Sequence, residues 1–191
     1  MSALQRRVRG GAMAVAMLAA CMCMPAFAHT EPANANTHPG IDIDTLAIPA
    51  PALGAAPLRV RVLRAHGDCI DLPCPVLYVN DGQDLEAVGL AETLAQLRAE
   101  GSIRPLLIVA IDMPADRLGA YGLVDRSTSR SVLVASSARP IGTHAHAYAR
   151  WFIDTLVPRI DGAYRTQATP AARTVLGWSL GAAQAFDMAW Q

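Results

Sequence analysis

The sequence predicts an α/β layered fold with a mainly parallel sheet, and three observations point to it. Segments of strand character alternate with segments of helical period along the chain. One strand candidate, Pro105-Leu106-Leu107-Ile108-Val109-Ala110-Ile111, is an almost unbroken apolar run, as expected where a parallel strand is covered on both faces. A Gly-rich junction, Gly177 to Gly181, joins a strand pattern directly to a helix pattern.

Composition supports one sizeable core. The chain has 191 residues, of which 52% are hydrophobic and 17% charged, which excludes a disordered polyelectrolyte. Formal net charge is zero and every basic residue apart from histidine is Arg. Arg6, Arg7 and Arg9 account for a basic start, so the remaining body is mildly acidic. Nothing there suits nucleic acid, because phosphate binding needs clustered positive charge.

Residues 1–28 read as a secretory signal peptide. The three arginines form its positive start, Gly10 to Met24 carry no charge, and Ala26-Phe27-Ala28 offers small residues at the two positions a signal peptidase reads. The apolar run is short for a transmembrane helix, which needs ~20 residues. A second cut site competes: Leu18-Ala19-Ala20-Cys21 resembles a lipobox, and cleavage there would tether the protein to a membrane by a lipid on Cys21. Cleavage after Ala28 fits Pro25 and the Ala-Phe-Ala ending better. Both routes lead out of the cytoplasm, to the periplasm or beyond. Cys69 and Cys74, close together in an exported body, are then expected to form a disulfide. The alternative is free or metal-binding thiols, but no second Cys/His pair at zinc spacing accompanies them.

Residues 29–57 are rich in Ala, Pro, Thr and Asn and read as a flexible leader, with a short strand near Ile41 to Ile48. His29 and His38 fall within it as solvated residues. Leu58-Arg59-Val60-Arg61-Val62-Leu63 alternates as a half-exposed strand does. Pro75 to Asn80 reads as a buried strand ending in the Asn80-Asp81-Gly82 turn. Helical spacing of Val88, Ala91, Leu94, Ala95 and Leu97 predicts a helix from Leu85 to Glu100, stopped by Gly101. Residues 115–143, after Asp112-Met113-Pro114, read as a long irregular segment, and long loops tend to be functional or mobile. Tyr148, Trp151, Phe152, Leu156, Ile160 and Tyr164 mark one face of a helix over His144 to Tyr164, which Pro158 should kink or split. Arg173 to Gly177 reads as a strand and Leu180 to Trp190 as a helix.

Gly177-Trp178-Ser179-Leu180-Gly181 matches G-x-S-x-G, the nucleophile elbow. A nucleophile on a tight strand-to-helix turn sits in a strained backbone, and side chains two residues to either side would meet the crossing chain. The turn lifts the hydroxyl to a helix N-terminus, where N–H groups favour negative charge. A five-residue match alone arises by chance; its placement between strand and helix gives it weight.

The chain from about Leu58 onward resembles the esterases of the esterase D and enterochelin-esterase type, within the α/β-hydrolase superfamily. The resemblance rests on Pro75-Val76-Leu77-Tyr78-Val79-Asn80-Asp81-Gly82-Gln83-Asp84, on Ile108-Val109-Ala110-Ile111-Asp112 with Arg117 and Tyr121, on Leu156-Val157-Pro158-Arg159-Ile160-Asp161 with Tyr164-Arg165-Thr166, and on the elbow. It implies a three-layer α/β-hydrolase-type fold over residues 58–191 and a Ser-Asp/Glu-His hydrolase of small-molecule esters or thioesters. Ser179 would be the nucleophile. The Leu180 N–H would be one oxyanion donor, and the loop Gly82, Gln83 and Asp84 would supply a second. No cofactor and no metal are implied. One departure is minor: many relatives carry Glu-Tyr where this chain has Ala120-Tyr121.

A second departure concerns the triad, whose chain order in this fold is Ser, then Asp/Glu, then His. Leu180 to Gln191 contain one acid, Asp187, and no His. The resemblance therefore implies a C-terminally truncated fold, inactive as it stands. Upstream, His144 and His146 begin a helix and read as exposed first-turn residues, His66 as solvated, and Asp112 as either a ligand position or a cap. The alternatives to an esterase are a non-catalytic scaffold or binding remnant, and a peptidase or acyltransferase on the same fold.

Overall fold

The computed structural model describes residues 38–125, 130–131 and 141–190; the signal segment and both of its cut sites lie outside them. In chain order the elements are β1 (Ile41–Ile48), β2 (Leu58–Ala65), β3 (Val76–Asn80), α1 (Leu90–Ala99), β4 (Leu107–Ile111), α2 (Arg117–Ala120), β5 (Val124–Asp125), β6 (Arg130–Ser131), α3 (Ala145–Trp151), a π-helical segment (Phe152–Leu156), α4 (Val157–Ala163), β7 (Arg173–Leu176) and α5 (Leu180–Trp190).

The main sheet runs β1-β2-β4-β3-β7. β3 is parallel to both β4 and β7, so its carboxyl end and theirs open on one edge. β1 and β2 form the antiparallel flank, β2 meeting β4 from Val60↔Ile111 to Leu63↔Ile108. β4 is buried throughout, as its unbroken apolar run predicts. Its side chains alternate between two cores. Leu107, Val109 and Ile111 pack with Tyr78, Phe152, Leu156 and Ile160, and Ile108 and Ala110 pack with Leu63, Leu85 and Leu94. Sheet and two helical faces make the expected three layers.

The short strand expected near Ile41 to Ile48 is β1, and it pairs with β2 along its whole length, so this part of the segment read as a flexible leader belongs to the sheet. Other sequence expectations change. The helix expected from Leu85 begins at Leu90, because residues 82–84 form a 3₁₀ turn and Gly89 adopts φ 59°. The long segment 115–143 carries α2 and the short β5–β6 pair. β2 is not half-exposed: Arg59 faces solvent, but Arg61 is buried.

Pro158 divides its helix as expected, but through a π-helical segment rather than a break. The proline sits in the first turn of α4, where a missing N–H costs little. The buried residues Tyr148, Phe152, Leu156 and Ile160 recur every fourth position. At ~100° per residue, each such step in a regular α-helix overshoots the stripe by ~40°. The wider π-helical turn takes up that excess.

Cys69 and Cys74 form a disulfide, and both are buried. Cys74 also donates its N–H to the Arg165 carbonyl at 2.9 Å and accepts from the Gln167 N–H at 2.7 Å. The closed loop thus holds the segment that leads into β7.

Candidate active site

β7 ends at Leu176 and α5 begins at Leu180, leaving Gly177, Trp178 and Ser179 to turn the chain. Ser179 has φ 53°, a left-handed conformation that an L-residue with a side chain adopts at a cost of ~1–2 kcal/mol. Its side chain is exposed. Its carbonyl accepts from Ala182 at 3.1 Å and Ala183 at 3.3 Å, and the Trp178 carbonyl accepts from Gly181 at 3.0 Å. The Leu180 N–H donates to no backbone acceptor among the described residues.

Both glycines are required by space. A Cβ on Gly177 would lie under 3.0 Å from the backbone of Gly181 and Ala182, and one on Gly181 would meet the Asp81 carboxylate as closely. Strand-helix turns of this tightness leave no room for alanine at either place.

The end of β3 is fastened to the elbow. Asn80 donates through Nδ2 to the Gly181 carbonyl at 3.0 Å and accepts through Oδ1 from the Tyr148 hydroxyl at 2.7 Å. Asp81 follows in the left-handed region, φ 59°, with its side chain 1% exposed. Arg117 holds both carboxylate oxygens, Nε to Oδ1 at 2.7 Å and Nη2 to Oδ2 at 2.9 Å. Its guanidinium also lies over the Tyr121 ring, 5.5 Å from the centroid. Tyr121 and Tyr148 meet edge to face at 5.1 Å. Burial, and for Tyr121 also the Asp81 charge, pushes both phenols above their ordinary pKa. Both are neutral at ordinary pH, and the Tyr148 hydroxyl braces Asn80.

Gly82, Gln83 and Asp84 come next to the elbow. Gly82 lies flat on β4; a Cβ there would be 2.8 Å from the backbone of Ala110 and Ile111. The Gln83 side-chain oxygen accepts from the Met113 N–H at 2.9 Å, and Asp84 accepts from the Trp178 indole at 3.1 Å. The N–H groups of Gly82 and Gln83 have no acceptor among the described residues. The residues that the sequence singles out on two distant segments are therefore brought to one edge of the sheet: an exposed hydroxyl, and N–H groups on two turns tied together through Trp178.

The described histidines make other contacts. His144 and His146 are exposed at the start of α3, as expected. His66 pairs with Asp42 at 3.2 Å and His38 with Glu92 at 3.0 Å. No histidine among the described residues hydrogen-bonds Ser179. Asp112, at the end of β4, pairs with Arg59 at 2.6 Å and lies 3.6 Å from Arg61. Asp187 is buried on α5 and engaged. Sequence patterns missed Gln184, whose buried side chain accepts from the Gly122 N–H at 3.0 Å and ties α5 to the chain after α2.

A family model described as "Putative esterase" matches residues 71–191. The chain belongs to this esterase family. No curated protein matches the sequence. Among solved structures it is similar to the enterobactin esterase FES from Shigella flexneri, at TM-score 0.57 and 14% identity over 76% of this chain and 32% of that one. It is also similar to ferric enterobactin esterase from Salmonella typhimurium, at TM-score 0.55 and 17% identity over 82% and 33%. The enterobactin hydrolase IroE, solved in complex with DFP, aligns at TM-score 0.54 and 17% identity over 76% and 56%. At these identities the likeness shows the fold. The chain spans about a third to just over half the length of these structures.

Proposed function

We propose that this esterase-family chain belongs to an exported serine hydrolase of carboxylic esters, with Ser179 as nucleophile. One observation supports it above the others: Ser179 is exposed at φ 53° at the head of α5, with N–H groups on its own turn and on the adjacent Gly82–Asp84 turn that find no backbone acceptor among the described residues. Siderophore-type esters are one substrate class this site would take, and similar structures are named for enterobactin. The disulfide is consistent with export after Ala28.

In the proposed reaction, a general base takes the Ser179 hydroxyl proton as Oγ attacks the ester carbonyl carbon. The carbonyl electron pair moves onto oxygen, and the N–H groups of Leu180 and of Gly82 or Gln83 receive the anion. Such donors are worth ~3–4 kcal/mol each in the transition state. The C–O bond to the alcohol then breaks, and the alcohol leaves with the proton. Water repeats the cycle on the acyl-serine and releases the acid. This chemistry requires a base and an orienting acid from outside the described residues.

That no histidine among the described residues hydrogen-bonds Ser179 favours a second proposal, a scaffold that binds esters without turning them over. Labelling of the exported, full-length protein with a fluorophosphonate probe separates the two. Covalent capture that disappears in Ser179→Ala supports the hydrolase. Absence of capture, or capture that survives in that variant, ends it. Parallel assays with ester and peptide substrates distinguish an esterase from a peptidase on the same fold.

A further inference from the structure

The geometry points to Arg61 as a positioning residue for the oxyanion site, acting from beneath the sheet through the Gly82 carbonyl. This rests on the proposed nucleophilic role of Ser179. Arg61 lies on β2, between β1 and β4, with its residue surface 5% exposed. Its Nη2 donates to the Gly82 carbonyl oxygen, and its Nη1 to Glu86 Oε1 at 2.5 Å. Asp112 Oδ1, 3.6 Å from Nη2, balances the charge from the other side. A cation so placed has no role in the packing of β2 that a Val or Leu would not fill better, since burying a charge is costly even when it is paired.

Its effect follows from the peptide plane. The Gly82 carbonyl and the Gln83 N–H belong to one peptide unit, and no peptide among the described residues is cis. In a trans unit the C=O and N–H point in opposite directions. Gripping the carbonyl from inside the protein therefore aims the Gln83 N–H outward. The Leu85 N–H, which reaches the same carbonyl at 3.1 Å, adds a second anchor. Gly82 permits the arrangement because its missing side chain lets the unit lie on the Ala110–Ile111 backbone. The Arg61 charge also polarises the unit, making the Gln83 N–H a stronger donor to a developing anion. Glu86, the partner of Nη1, is mostly exposed, so it can move without releasing the carbonyl.

The test compares the full-length protein with its Arg61→Met and Arg61→Lys variants. Losing an oxyanion donor outright lowers kcat by ~10²–10³, and a mis-aimed donor should lower it by ~10-fold or more. Arg61→Met is expected to show that loss in kcat with KM changed less than about twofold, because the donor acts on the transition state rather than on ground-state binding. Arg61→Lys, which keeps a cation within reach of Gly82, is expected to recover part of the rate. Phosphonylation of Ser179 supplies a second readout, since its oxygen occupies the anion position. In wild type the Gln83 amide proton should move downfield on labelling, and the ³¹P resonance of the adduct should shift in Arg61→Met. A wild-type kcat in Arg61→Met, or a loss confined to KM, overturns the inference. If Arg61→Met does not fold, the wild-type amide decides: a Gln83 signal unmoved by labelling overturns it as well. A wild-type protein that takes no label at Ser179 instead removes the esterase proposal, and this inference with it.

Discussion

Arg117→Met should destabilise the protein by about 3 kcal/mol. Asp81 is buried beneath Gly181, its side chain 1% exposed, and Arg117 holds both of its oxygens at 2.7 and 2.9 Å. The guanidinium pKa is raised chiefly by these hydrogen bonds, so the arginine is charged at ordinary pH and its share of stability is lost as pH rises through its folded value. Removing one partner of a buried pair costs ~3–5 kcal/mol because a bare charge remains. The low end applies here, since Arg117 is itself 27% exposed and water can enter the space it leaves. For a domain of this size the loss corresponds to a fall in Tm of roughly 6–12 °C. Urea unfolding followed by circular dichroism would measure it. Asp81→Asn in the same background should recover most of the loss, because an amide carries no charge to strand. The reasoning fails if Arg117→Met costs less than about 1 kcal/mol, or if the two substitutions add without coupling.

Three further outcomes can be checked on the same protein. Tyr148→Phe leaves the buried Asn80 oxygen without its 2.7 Å donor and should cost ~1–3 kcal/mol; an unchanged urea midpoint would contradict this. Replacing Cys69 and Cys74 together by Ser opens a loop of sequence separation 5 and should cost ~2 kcal/mol by loop entropy, with no change in midpoint as the contrary result. The Glu92 carboxyl should titrate below 4.5, held down first by its own backbone N–H and then by His38. A depressed carboxyl stabilises above its ordinary value and loses that share as pH falls through the folded value. Its ¹³C titration in wild type and His38→Gln would show the midpoint, which should move only part of the way back in the variant; a wild-type midpoint at or above 4.5 refutes the assignment.

The elbow was legible because its constraint is local. Five consecutive residues carry the steric demand, and Gly177 and Gly181 announce it without reference to the rest of the chain. β4 was legible for a related reason, since burial on both faces writes itself as an unbroken apolar run. What supports the elbow was not. Asp81 reads as part of a turn, and nothing in spacing connects it to Arg117, 36 residues on. Arg59 and Arg61 occupy equivalent positions in an alternating pattern, yet one is exposed and the other buried. What separates them is distant in sequence: Arg61 lies opposite Ala110 of β4 and reaches the Gly82 carbonyl, and Arg59 does neither. The helix boundary at Leu90 was missed because Leu85 and Val88 fit the helical period while the chain between them turns.

The wide turn at Phe152–Leu156 gives this stretch of chain a phase as well as a direction. Deleting one residue there would let α3 and α4 fuse into a regular helix and swing everything beyond by about 100°. Ile160 would leave the core. Tyr164 would lose its 3.1 Å bond to Asp44, and Asp161 its 2.6 Å hold on Arg173 at the foot of β7. That strand delivers Ser179 to the sheet edge. A change in chain length at this turn would thus be transmitted to the hydroxyl, whereas most substitutions at its exposed positions 153–155 would go unnoticed.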